Sequence, residues 1–172
     1  MNPKLEILFK RRSVRTYTDE PITEEDLHDM LEAAMSSPSA MAKDPWHFYV
    51  VRDQATRDKI ADALPNGQML RKAPLGIVIV GDIDKAHSNA LSYMLQDCSA
   101  SIENLLLAAS TLELGACWLG VHPREERIQR IKEIFNLAEN MIPIAVVAIG
   151  HPERTPEPRT RYDEQKVHHW NQ

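Results

Sequence analysis

The stretch "SNALSYMLQDCSASIENLLLAASTLELGACWLGV", residues 88–121, carries the longest periodic pattern in the chain. Leu91, Leu95, Cys98, Ile102, Leu105, Ala109 and Leu112 step by fours and threes, which predicts a long helix with a continuous apolar stripe. Ala100, Leu106, Leu107 and Ala108 fill the flanks, so the helix reads as a central core or interface element. Gly115 is expected to stop it. The pattern then changes: "ACWLGV" (116–121) reads as a strand. Gly120 near its end is either a turn residue or a place where a ligand approaches the backbone closely.

Outward from this unit, "GIVIVG" (76–81) and "IPIAVVAIGHP" (142–152) are apolar runs typical of strands covered on both faces. "HFYVV" (47–51) is a third strand by its aromatic and β-branched content. "QATRDKIADAL" (54–64) and "REERIQRIKEIF" (124–135) read as surface helices. In "PITEEDLHDMLEAAMSSP" (21–38), Thr23 caps a helix with an acidic first turn, and Ile22 can staple against Leu27. Asn2 and Pro3 start a short helix that expires in a basic cluster. The sum is one mixed domain over residues 1–172, with four strands and about five helices.

Composition narrows the function. The chain is 43% hydrophobic and 26% charged, as in ordinary globular proteins. No stretch has the roughly 18–20 uninterrupted apolar residues of a membrane span, and the opening "MNPKLEILFKRRS" does not read as a secretory leader. The expected location is the cytoplasm, with no membrane partner. Cys98 and Cys117 lie in apolar contexts without metal-like spacing and read as buried hydrophobes. His151, His168 and His169 show no convergent ligand spacing, so no metal is expected.

Against a net charge of −5, Lys10, Arg11, Arg12 and Arg15 form a local knot of cations. The cluster is short and has no interleaved aromatics, which argues against nucleic acid. A solvated helix end is the plain alternative. Arginine suits phosphate, because its planar fork offers fixed donors and a permanent charge. In an extended backbone Arg11, Ser13 and Arg15 project to one side, and "PRTR" repeats the spacing with Arg159 and Arg161. No GxGxxG or P-loop is present among only six glycines, so side-chain cations would carry any phosphate. Residues 153–172 are polar and rich in proline, yet they hold Tyr162, Val167 and Trp170 as candidate anchors.

These elements occur in a telling order: R-R-S-x-R near the start, P-S-A-M before P-W-H-F, G-x-C-W-L-G after the long helix, and G-H-P, P-R-x-R and Trp in the tail. Over nearly the whole chain this resembles the nitroreductase family of flavin-dependent oxidoreductases. The resemblance implies an α+β fold around a mainly antiparallel sheet, in a homodimer with flavin mononucleotide (FMN) at the subunit interface. It implies a core of residues 1–152 and a tail, 153–172, that wraps the partner. Arg11, Arg12, Ser13 and Arg15 would hold the phosphate and ribityl side, and Arg159 and Arg161 would close on the phosphate. Pro38, Ser39, Ala40 and Met41 would line the flavin of the other subunit. Leu119 and Gly120 would lie against the ring near N5, presenting backbone amides.

The implied activity is hydride transfer from NAD(P)H to small electron-poor acceptors such as nitroaromatics or quinones. The resemblance also leaves open a flavin-binding or sensor protein, a reductive dehalogenase and a flavin-cleaving enzyme. No protein group is identified as a proton donor, because the cofactor carries the redox chemistry. Ala42 and Asp44 stand where the family commonly has Asn and Gln, and Asn66 or Gln68 is a further candidate contact.

Overall fold

The computed structural model describes residues 2–170. Its helices are α1 (Glu6–Lys10), α2 (Glu24–Met35), α3 (Gln54–Ala63), α4 (Leu91–Thr111) and α5 (Glu125–Phe135). Its strands are β1 (Trp46–Val51), β2 (Leu75–Asp82), β3 (Gly115–Gly120) and β4 (Met141–Gly150), in the sheet order β1-β2-β4-β3. All three strand pairs of the sheet are antiparallel, so the fold is α+β.

The doubly covered character of β2 and β4 has a direct cause. Leu75, Ile77 and Ile79, with Ala145, Val147 and Ile149, pack with α2 and α4 on one face. Val78 and Val80, with Val146 and Ala148, pack with α3 and α5 on the other. Both faces are dry, and alternation therefore disappears from the sequence although the strands are antiparallel. Among the described residues, no helix is long and apolar enough to cross a membrane.

The caps follow the local chemistry. Thr23 Oγ1 accepts the Asp26 N–H at 3.0 Å, and Asn2 Oδ1 accepts that of Lys4 at 3.0 Å. The end of α4 differs from expectation. Glu113, at φ 60, makes the left-handed turn, while Leu114 N–H donates to Ala109 O at 2.8 Å and Glu113 N–H to Ser110 O at 3.3 Å. Gly115 begins β3 instead, where a Cβ would meet Val14 Cγ1 at 2.7 Å. Its missing side chain lets the N-terminal segment dock on the sheet.

Candidate functional site

β3 lies at the edge of the sheet. Its outer side receives one bridge, Ser13 to Ala116, with Val14 N–H donating to Ala116 O at 3.0 Å. Beyond it, Cys117, Trp118, Leu119 and Gly120 border a cavity of about 530 Å³, together with Arg15, Gly67 and Met69. A Cβ on Gly120 would meet no atom within 4 Å, so the space over this glycine is open. Gly67 is closely packed by contrast, since a Cβ there would meet Leu64 Cβ at 2.9 Å. Arg127 on α5 donates from Nη1 to Gly120 O at 2.8 Å and fixes the end of the strand.

The N-terminal cations diverge. Arg11 pairs with Glu103 of α4 at 3.4 Å, Arg12 donates to the Glu157 carbonyl of the tail, and Arg15 donates to Ser13 O at 3.4 Å beside the cavity. The tail runs back over this segment: Glu153 N–H donates to Thr16 O and Arg159 N–H to Phe9 O, each at 3.2 Å. The arginine-bearing segments Arg11–Arg15 and Arg159–Arg161 are thus neighbours along the backbone, although they lie near opposite ends of the chain. Among the described residues, the side chains of Arg159 and Arg161 make no hydrogen bond or ion pair. From Arg159 onward the tail leaves the core, with Tyr162 74% and Trp170 85% exposed.

The loop after α2 holds Pro38, Ser39, Ala40 and Met41 away from this cavity's lining. Met41, Ala42 and Asp44 adopt φ values of 56, 51 and 46°, a left-handed backbone that non-glycine residues seldom hold. Ser39 Oγ donates to Asp44 Oδ1 and accepts the Asp44 N–H at 3.0 Å, so Asp44 braces Ser39. Ala40 N–H donates to Asp97 Oδ1 of α4 at 2.9 Å. Met41 stays 74% exposed at the tip.

Arg15, Leu119 and Gly120 are therefore brought together at one cavity, and Asn66 joins them in its lining. Gln68 turns away: its amide donates to Ala61 O at 2.9 Å and its carbonyl accepts from Arg71 at 3.0 Å. Gly67, Met69 and Arg127 were not readable as lining residues. Only the packing of the α3–β2 connection and α5 beside β3 reveals them. Burial pushes the Cys117 thiol up, with nearby Arg15 opposing. Burial also pushes the Cys98 thiol up, to about 12, and Asp97 adds to the effect. Among the described residues, no three His, Cys, Asp or Glu side chains are grouped to hold a metal.

Comparison with known proteins places this architecture. The sequence profile of the nitroreductase family matches residues 8–68 and 63–151. A provisionally named NADH dehydrogenase/NAD(P)H nitroreductase of Archaeoglobus fulgidus is 43% identical over 89% of this chain and 87% of its own length. A crystal structure with the same provisional name, from Parabacteroides distasonis, superimposes with a TM-score of 0.92 at 36% identity and covers 100% of both chains. A provisionally named nitroreductase of Desulfovibrio desulfuricans, solved in complex with FMN, gives a TM-score of 0.86 at 30% identity, over 99% of this chain and 98% of its own. With its edge strand, its basic N-terminal segment and its profile match all in one frame, the chain belongs to the nitroreductase family.

Proposed function

We propose that this chain is an FMN-dependent NAD(P)H oxidoreductase acting on electron-poor acceptors such as nitroaromatics or quinones. The observation that carries the reading is the open ground over Gly120, at the end of an edge strand and beside Arg15. A flat heterocycle can rest on a glycine where any larger side chain would occupy its place. Bound FMN would supply the redox chemistry, taking hydride at N5 from the nicotinamide and returning it to the acceptor.

The protein's own part is binding and orientation. Gly120 turns its N–H to the unpaired side of β3, the side on which Ala116 O meets Val14. In this reading it reaches the polar edge of the ring, while Leu119, bonded to β4, lies against the ring beside it. Arg11, Arg12, Ser13 and Arg15 approach from the N-terminal segment, and Arg159 and Arg161 from the tail. In this reading, release of Arg11 from Glu103 and of Arg12 from Glu157 frees cations for the phosphate. A permanent positive charge near the ring also favours its anionic reduced form.

A second copy completes the site. Pro38, Ser39, Ala40 and Met41 lie outside the cavity of their own chain, in a constrained loop with an exposed methionine at its tip. The exposed Tyr162 and Trp170 are large apolar groups suited to a partner's surface. We therefore read residues 153–172 as the tail that wraps the partner in a homodimer; Asn171 and Gln172 lie outside the described residues.

The test is optical. Purified protein should be yellow, or turn yellow with added FMN, and should bleach anaerobically with NADH or NADPH. A quinone or nitroaromatic should restore the colour. Yellow protein that neither nucleotide bleaches is a flavin binder without turnover, and protein that takes up no FMN overturns the reading.

A further inference from the structure

Helix α4 is apolar over much of its surface, yet Asp97, Ser101 and Asn104 recur at steps of four and three and so share one face. That face meets the end of α2 and the loop beyond it. Asn104 Nδ2 donates to the Ala33 carbonyl at 3.2 Å, and Ser36 Oγ donates to the same oxygen at 2.7 Å. Further along the helix, Asp97 Oδ1 accepts the Ala40 N–H at 2.9 Å.

Asp97 is only 5% exposed. Its Oδ2 is buried without a hydrogen-bond partner among the described residues, as are Ser37 Oγ and Ser101 Oγ. Burying a carboxylate with one oxygen unsatisfied is costly. Were packing the only demand at this position, an apolar side chain would meet it better. The expense calls for a compensating task.

We propose that Asp97 is a positioning residue for the flavin pocket: through Ala40 it holds loop 37–44 in the shape that faces the cofactor of a second copy. The inference rests on the reading of that loop as cofactor-lining. Left-handed backbone at Met41, Ala42 and Asp44 opposes the shape of the loop. Such a conformation persists only where surrounding contacts over-determine it. The Ser39–Asp44 pair lies within the loop and moves with it. The Asp97–Ala40 bond instead ties the loop to α4, whose side chains are built into the main core. Asp97 touches no reacting atom; it sets where Ser39, Ala40 and Met41 stand.

The experiment removes one hydrogen bond from both of its ends. Asp97→Asn keeps an acceptor for the Ala40 N–H, and Asp97→Leu removes it. Ala40→Pro deletes the donor, at a place where the preceding Ser39 is extended (φ −134°, ψ 158°), as a residue before proline prefers. FMN affinity is read by fluorescence on purified protein, and the melting temperature of the FMN-free form is read beside it.

Asp97→Asn should bind FMN close to wild type. Asp97→Leu and Ala40→Pro should each weaken binding about tenfold to a hundredfold, the range for losing a hydrogen bond to a charged group. The double variant should be no worse than either single one, because both remove the same interaction. An Asp97→Leu protein that melts lower but binds FMN like wild type overturns the proposal, as do additive losses in the double variant. If Asp97→Leu does not fold, Ala40→Pro decides, and unchanged affinity there overturns it. Wild-type protein that takes up no FMN sinks the underlying cofactor reading instead, so the two failures are distinguishable.

Discussion

Arg11–Arg15 and Arg159–Arg161 are both short segments rich in arginine, but the fold treats them differently. The N-terminal element is seated: Val14 and Tyr17 are buried, and the Tyr17 hydroxyl lies 2.6 Å from Val14 O and 3.2 Å from Ala148 O. Burial pushes the Tyr17 phenol well above its ordinary range, with Cys117 adding and Arg15 opposing, so it stays a donor at any ordinary pH. The tail element has backbone contact with Phe9 and then runs exposed to Trp170. Similar side chains therefore have unequal anchorage. Sequence sets the chemistry that each can offer, whereas packing sets when each is held in place. In our reading the first is held by the protomer and the second by the dimer and the cofactor.

The largest expected effect removes the ground on which both elements close. Gly120→Val should abolish detectable FMN binding while the melting temperature of the FMN-free protein hardly moves, since a Cβ at this position meets no atom within 4 Å. Retained yellow colour in this variant would break the proposed placement of the ring. The next effect tests the clamp. Arg15→Ala with Arg161→Ala should weaken FMN by about a hundredfold or more in a fluorescence titration, as expected when two charge-assisted hydrogen bonds are lost. Unchanged affinity would refute the phosphate assignment. Each single change should show which end of the chain contributes more.

Trp170→Ala comes third and bears on the tail alone. As an interface anchor it should weaken dimerisation about tenfold to thirtyfold, near the 2 kcal/mol of a hot-spot residue, measured by sedimentation at falling concentration. The mutant protomer should melt like wild type under monomeric conditions. An unaltered dimer would leave the tail without its anchor.

The smallest effect sharpens the seated side. Cys98 and Cys117 should resist alkylation near pH 8 in the native protein and react once it is unfolded, because burial disfavours both thiolates. Unfolded thiols ionise from about 9, while folded Cys98 keeps its proton to about 12, so this group withdraws stability as pH rises across that window.

Much of the fold was legible because its elements announce themselves locally. The i, i+3, i+4 spacing gave α4, and the Thr23 cap gave the start of α2. Strand direction was not legible in the same way. The apolar runs of β2 and β4 report that both faces are covered, and that condition holds here for antiparallel strands packed between two pairs of helices. The α4 stop was misread because glycine is the usual left-handed residue, and here Glu113 takes the turn while Gly115 makes room for Val14. At the site, Arg15, Leu119 and Gly120 could be named from motif order. The pairing of Arg11 with Glu103 and the tie from Ala40 to Asp97 join residues far apart in sequence, and no local pattern encodes such meetings.

The free side of β3 bears on how the protein behaves when its cofactor is scarce. Past Ala116 no strand among the described residues pairs with that side; Arg127 takes the Gly120 carbonyl, but the backbone of Trp118 and the N–H of Gly120 have no strand partner. Open strand edges invite pairing with other chains, and proteins usually blunt or cover them. In the proposed holoprotein the flavin does the covering. Cofactor supply would then govern colloidal behaviour as well as activity: FMN-depleted preparations should self-associate more readily, and adding FMN should disperse them.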